Sequence, residues 1–160
     1  MTWYHWVVYT HVMSAMLWVG GMFFISLVAV PAARDMDLRR RTTLMSTLGR
    51  RFRDVGWVLL ALLWITGAVQ MWIRGATWSN ILDGSFFTTR FGSLMGSKLL
   101  IILVMMVVSA LHDWVIGPRA AAVAEAGGDP ERLRRIAAWL GRINALLALG
   151  IVGHAVVMVR

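Results

Sequence analysis

The amino-acid sequence predicts an all-α integral membrane protein: an antiparallel four-helix bundle with the N-terminus and C-terminus outside. Hydrophobic residues make up 59% of the 160 residues and the mean hydropathy is +0.69, which is too apolar for a soluble single domain. Four apolar windows are long enough to cross a hydrocarbon core of about 30 Å, which takes roughly 20 helical residues. We therefore predict a single four-helix transmembrane domain over residues 1–160.

Polar segments separate the four predicted helices, which we place at about residues 6–31, 55–73, 97–116 and 137–159. The connections are predicted as an arginine-rich loop from Arg34 to Arg53, a loop rich in Gly, Ser and Thr from Gly75 to Ser97, and a polar turn at Gly127-Gly128-Asp129-Pro130. The first window lacks Lys and Arg and exceeds a signal-peptide core in length, so it is interpreted as a retained helix. The sequence shows no convincing internal repeat.

The distribution of basic residues predicts the orientation. Twelve of the sixteen lie in or beside the first and third connections, and four lie elsewhere: Arg74, Arg90, Lys98 and Arg160. Because cytoplasmic loops are enriched in Lys and Arg, the first and third connections are predicted to be cytoplasmic. The expected location is the inner (cytoplasmic) membrane, with multiple passes.

Charge and cysteine content restrict the possible functions. The net charge is +8, but it lies between apolar runs and no groove-binding motif is present, so no nucleic-acid partner is predicted. Membrane lipids with anionic headgroups are the simpler partner. The sequence contains no cysteine, which excludes disulfides, iron–sulfur clusters, thiolate metal sites and cysteine nucleophiles.

Histidines within the predicted helices are the main candidates for a site, because ionisable groups in a membrane are costly and usually functional. His11 lies about 8 Å below the outer edge, and His154 lies at nearly the same depth. The first and fourth helices of an up-down-up-down bundle are neighbours. Imidazole suits iron and copper, and one histidine from each of two helices can clamp a b-type haem. We predict His11 and His154 as metal ligands of haem b, without assigning a catalytic residue.

Cations on the outer side extend this candidate site. Arg90 and Lys98 are predicted to bind the cofactor, since they lie at the level where haem propionates would point. The alternative for each is a basic side chain at a helix end that snorkels, with its charged group extended to the membrane surface. The chain contains no soluble domain for a flavin, so electrons are expected to pass to a quinone or another membrane redox protein. A homo-oligomer is a further possible assembly.

Two alternative functions stay open. A copper-handling protein would use histidine together with methionine, and five of the eleven methionines are predicted toward the outer side: Met1, Met13, Met71, Met95 and Met158. No ordered methionine spacing is present, which favours methionines that pack in the helix core or face lipid over methionines that bind copper. A non-catalytic membrane subunit would use His11 and His154 only for an interhelical hydrogen bond.

His112 and Asp113 form a separate candidate pair. His112 lies about 21 Å along the third predicted helix from Lys98, hence near the cytoplasmic edge and too deep to share an iron with His11. The pair is compatible with a proton relay, with orientation of a ligand, or with a helix end that contacts lipid headgroups.

Short motifs in all four helices add a family resemblance. They are His11 with Leu17-Trp18-Val19-Gly20-Gly21, Phe52-Arg53 with Thr66-Gly67, Ser97-Lys98-Leu99 with His112, and Arg142-Ile143-Asn144. Together they resemble the superfamily of the copper-resistance CopD membrane domain and the HemJ type of protoporphyrinogen oxidase. The resemblance implies a four-helix membrane protein that binds haem b or copper, with essential roles for His11 and Lys98 if the oxidoreductase chemistry applies. The spacing from Lys98 to His112 is longer than in the HemJ pattern, which does not include His154.

The predicted orientation can be tested by cysteine labelling in intact cells. A cysteine at Ser46 is expected to be shielded from an impermeant thiol reagent, and a cysteine at Ser85 to react, because twelve of the sixteen basic residues mark the cytoplasmic side. Permeabilised cells provide the control, in which both positions should react. Labelling of Ser46→Cys alone in intact cells would contradict the orientation.

Overall fold

The computed structural model describes residues 2–158, and every regular element in that range is a helix. The elements are α1 (Trp3–Ala32), α2 (Leu38–Ile73), α3 (Trp78–Leu82), α4 (Ser85–Thr88), α5 (Arg90–Glu125) and α6 (Glu131–Met158). Helices α1, α2, α5 and α6 are long and apolar enough to cross a membrane. The prediction of an all-α membrane fold is confirmed, and the chain is a multi-pass membrane protein.

Helix α2 is much longer than predicted. The segment from Arg34 to Arg53 was expected to be a loop, but the chain is helical from Leu38 onward. The Asp37 side chain caps this helix by accepting a hydrogen bond from the Arg40 backbone N–H at 2.9 Å. Leu, Arg and Met are good helix formers, so the helix begins within the basic segment, before the apolar window starts.

The structure differs from the prediction in the second connection and agrees with it in the third. The loop predicted to reach Ser97 contains α3 and α4, and α5 begins at Arg90, where the Thr89 hydroxyl accepts from the Gly92 N–H at 2.9 Å. The polar turn before α6 is confirmed: Gly127 has φ +75°, and the Asp129 carboxylate accepts from the Glu131 N–H at 2.9 Å. The predicted end of the fourth helix at residue 159 lies outside the described residues, as does Arg160.

Contacts divide the chain into two compact units, residues 1–86 and 87–160. We call them the N-terminal hairpin, built on α1 and α2, and the C-terminal hairpin, built on α5 and α6. The single domain over residues 1–160 requires these hairpins to pack together, and it stays a prediction.

Glycines allow close packing of α1 against α2 in the N-terminal hairpin. The buried Trp18 indole lies against Gly56, where a Cβ atom would be 3.3 Å from the indole nitrogen. A Cβ on Gly21 would overlap the ring of Phe52. Small residues in membrane helices permit such approaches, and these two contacts set the antiparallel register of the pair.

A buried polar pair joins the helices of the C-terminal hairpin. The Asn144 side-chain amide donates to the Ser109 hydroxyl at 2.7 Å, and both residues are less than a tenth exposed. Interhelical hydrogen bonds of this kind stabilise membrane helix pairs by about 0.6 kcal/mol on average. Asn144 is therefore part of the contact between α5 and α6.

The first long helix of each hairpin widens into a π-helical turn before a proline. The turns are Ile25–Ala29, ahead of Pro31, and Leu111–Ile116, ahead of Pro118. Proline lacks a backbone N–H and its ring meets the carbonyl four residues earlier, and a wider turn accommodates both effects without ending the helix. His11 and Lys98 each lie twenty residues before their proline, a correspondence between the hairpins that the hydropathy pattern did not reveal.

Adjacent glycines provide a test of the α1–α2 packing. Gly20→Ala should keep or raise thermal stability, because nothing lies within 4 Å of the added Cβ and alanine is the better helix former. Gly21→Ala should lower the stability by about 1–3 kcal/mol, because the new methyl group displaces Phe52. Thermal unfolding in detergent measures both variants. Equal stabilities would contradict this packing, and a Phe52→Ala background should remove the difference.

Candidate functional site

His11 is held by a hydroxyl on the facing helix of the N-terminal hairpin. Its Nδ1 atom lies 2.8 Å from Oγ1 of Thr66, and Thr66 is 7% exposed. Gly67 follows Thr66 and lies against the imidazole, since a Cβ at that position would be 3.5 Å from the Cε1 atom of His11. The ring is thereby fixed between a hydrogen bond and a glycine surface.

The Thr66 hydroxyl has two partners. It lies 2.8 Å from His11 Nδ1 and 2.6 Å from the Leu62 carbonyl oxygen, which can only accept a hydrogen bond. When the hydroxyl donates to Leu62, its oxygen accepts from His11 Nδ1–H. Metal-binding histidines are commonly oriented by such a hydrogen bond at the other ring nitrogen.

His154 is held in the C-terminal hairpin by Ser97. The Nε2 atom lies 3.0 Å from the Ser97 hydroxyl, which also lies 2.9 Å from the Leu94 carbonyl oxygen. When Ser97 donates to Leu94, its oxygen accepts from His154 Nε2–H.

The two predicted cofactor-binding cations occupy different places on α5. Arg90 is the first residue of the helix and is exposed, so it can extend a guanidinium toward an anionic group at the membrane surface. Lys98 is half-buried and lies two turns inside the helix, next to Ser97.

The other histidines are accounted for locally. His112 Nδ1 lies 2.8 Å from the Asp113 carboxylate within the second π-helical turn, so the predicted pair does form. His5 accepts a hydrogen bond at Nδ1 from the Thr2 backbone N–H at 3.1 Å and so caps the start of α1. This local contact explains His5 without a ligand.

The potential metal ligands are dispersed among the described residues. No group of three or more His, Cys, Asp or Glu side chains that could hold a metal ion occurs in residues 2–158. Of the methionines predicted near the outer side, Met1 and the side chain of Met158 lie outside the described residues. The histidines that contact a hydroxyl of a facing helix are His11 in the N-terminal hairpin and His154 in the C-terminal hairpin.

Sequence reasoning did not identify the roles of Thr66 and Ser97. Both residues belong to motifs of the family resemblance, but hydroxyls are common in membrane helices and nothing in the linear pattern connects them to a histidine. The relevant signal is positional: each hydroxyl can bond to the carbonyl of the preceding turn and so accept from a facing side chain.

Comparisons with known proteins give the family. The family model for copper resistance protein D, CopD, matches residues 46–158, a range that includes Ser97 and His154 but not His11. A protein of Aquifex aeolicus (strain VF5), described as uncharacterized, is 32% identical over 142 residues, covering 88% of this chain and 85% of that protein. No solved structure matches. Because the family model covers well over half of the chain, this protein belongs to the CopD family.

Proposed function

We propose that this protein is a membrane redox protein that binds haem b near the outer leaflet, with His11 and His154 as the axial ligands. The observation that supports the proposal is the 2.8 Å contact between His11 Nδ1 and the Thr66 hydroxyl, because metal-binding histidines are commonly oriented by a hydrogen bond at the nitrogen that does not bind the metal. A b-type haem needs only two ligands from the protein, since the porphyrin supplies four. Two separate histidines satisfy that requirement.

The outer cations have a role in the same proposal. Arg90 at the start of α5 and Lys98 two turns further along would neutralise the haem propionates. Bound haem would supply iron that accepts and releases single electrons. The chain's own residues hold the iron and compensate the charge, and a quinone or another membrane redox protein would exchange electrons with the site. A homo-oligomer is compatible with this proposal.

Copper is the second candidate, favoured by the CopD family match. Imidazole nitrogen and thioether sulfur both suit copper. In this alternative, His11 and His154 bind the ion together with methionines of the outer side, of which Met13, Met71 and Met95 are described and half-buried. A copper ion needs more ligands from the protein than a haem iron does, so stoichiometry and spectra distinguish the candidates.

The first test is the absorption spectrum of the purified protein before and after dithionite, with metal analysis of the same sample. We expect a red protein with a Soret band, a sharp α-band on reduction and substoichiometric copper, because paired imidazoles give a six-coordinate haem. Protein reconstituted with haem provides the control for cofactor lost in purification. A colourless protein that takes up about one copper and no haem would replace the haem proposal with the copper alternative.

The second test assigns the ligands. His11→Ala and His154→Ala should each abolish stably bound haem, because loss of one imidazole leaves the iron held from one side. His112→Ala is the control and should retain haem, since His112 lies about 21 Å along α5 from Lys98 and bonds to Asp113. Spectra and haem content of the three variants are compared. If His112→Ala loses haem and His154→Ala keeps it, His112 replaces His154 in the site.

A further inference from the structure

The beginning of α2 is a basic stretch that lies outside the apolar part of the helix. Helix α2 has 36 residues, or about 54 Å of helix, whereas about 20 residues cross a hydrocarbon core. We call residues 38–53 the basic extension. It contains no Asp, Glu or Lys and six arginines: Arg39, Arg40, Arg41, Arg50, Arg51 and Arg53. The extension therefore has a formal charge of +6.

Most of these arginines have no acidic partner in the part of the chain that the structure describes. Arg40 pairs with Asp37 at 3.2 Å, and Arg53 pairs with Asp54 at 3.4 Å. The other four are exposed and form no ion pair within residues 2–158: Arg39, Arg41, Arg50 and Arg51. Four positive charges can therefore interact with an anion that the described residues do not supply.

The first turns of the basic extension form a shallow groove whose side chains suit a phosphate group. The groove is lined by Arg39, Arg40, Thr43, Leu44 and Thr47. Arg39, Thr43 and Thr47 are spaced by four residues, so they lie on one face of the helix. A guanidinium group offers paired N–H donors that match two phosphate oxygens, and hydroxyls can add hydrogen bonds. Of the two arginines in this groove, Arg39 is the one without an acidic partner among the described residues.

The length of α1 places this groove at the level of lipid headgroups. Helix α1 has 30 residues and no Asp, Glu, Lys or Arg, so its whole length favours the bilayer. Thirty residues span about 45 Å, which is the thickness of a bilayer with its headgroups. Five residues, 33–37, connect α1 to α2, so the beginning of α2 lies at the level where α1 ends. Arg39 is therefore at the depth of lipid phosphates.

An apolar surface of α1 lies beside the basic extension. The contact between Gly21 and Phe52 sets the antiparallel register, in which the last turns of α1 run next to the extension. Three large apolar side chains in these turns are more than half exposed: Phe24, Leu27 and Val28. Such a surface favours acyl chains over water. Unpaired positive charge and exposed apolar surface thus occur together at one end of the N-terminal hairpin.

We propose that this end of the N-terminal hairpin binds an anionic phospholipid. The lipid phosphate contacts the Arg39 guanidinium and the threonine hydroxyls of the groove, and the acyl chains lie along Phe24 and Leu27 of α1. Inorganic phosphate matches only the groove, and a zwitterionic lipid matches mainly the apolar surface. In the predicted orientation the lipid belongs to the cytoplasmic leaflet, whose surface is negatively charged. The inference involves one hairpin and no haem, so it goes beyond the proposed function.

Lipid titration of the purified protein in a non-ionic detergent, measured by native mass spectrometry, tests the groove. Phosphatidylglycerol should bind more tightly than phosphatidylcholine with the same acyl chains. Arg39→Gln should weaken phosphatidylglycerol binding roughly fivefold or more, the contribution of one basic residue near anionic lipid. Arg41→Gln is the matched control and should cause a smaller loss, because it removes the same charge from an exposed arginine outside the groove. An equal loss in both variants overturns the assignment to the groove.

The contribution of the acyl chains has its own test. Leu27→Ala should weaken phosphatidylglycerol binding, whereas Leu17→Ala, which truncates another exposed leucine of α1, should not. Excess inorganic phosphate should leave most of the lipid bound, because it does not occupy the apolar surface. Displacement of the lipid by inorganic phosphate would identify a site for soluble anions and overturn the lipid proposal, as would equal affinity for the two lipids. None of these measurements involves haem, so their failure is distinct from failure of the proposed function.

Discussion

A polar group inside a lipid bilayer has no water to bond with, so it must find its partner within the protein. This constraint explains the continuous helices, and it also explains the behaviour of the hydroxyls. Thr66 and Ser97 each lie within hydrogen-bond distance of a carbonyl of the preceding turn and of one facing group. In each hairpin that facing group is an imidazole nitrogen. The hydroxyl thus fixes the position of the histidine ring.

Helix packing determines which histidine nitrogen reaches its hydroxyl. In the N-terminal hairpin, Gly21 and Gly56 admit the rings of Phe52 and Trp18 and leave little freedom to slide α1 along α2. A shift of one residue would move His11 by about 1.5 Å along the axis and rotate it by about 100°, away from Thr66. Packing at the glycines, well over two turns from the histidine, is therefore a condition for the contact between His11 and Thr66.

The sequence was sufficient to predict the membrane-crossing helices. It was not sufficient to predict where those helices end or which hydroxyls contact the histidines. Hydropathy reports which residues can lie in lipid, whereas helix ends depend on caps such as Asp37 and Thr89, so α2 and α5 begin well before their apolar windows. The histidines could be identified because ionisable residues are rare in membrane helices. Their hydroxyl partners could not, because the contact between His11 and Thr66 spans 55 positions and depends on the register between two helices.

The longer α5 separates the start of the helix from the start of its apolar window. The helix begins at Arg90, eight residues before Lys98, which corresponds to about 12 Å of helix. The Thr89 hydroxyl caps this start by accepting from the Gly92 N–H, so the added turns depend on a local hydrogen bond and not on hydropathy. Helix α2 behaves in the same way, because it begins at Leu38 with the Asp37 cap and reaches its apolar window only after the basic segment. Lys98 therefore keeps its place at the beginning of the third apolar window, although it lies two turns inside the helix.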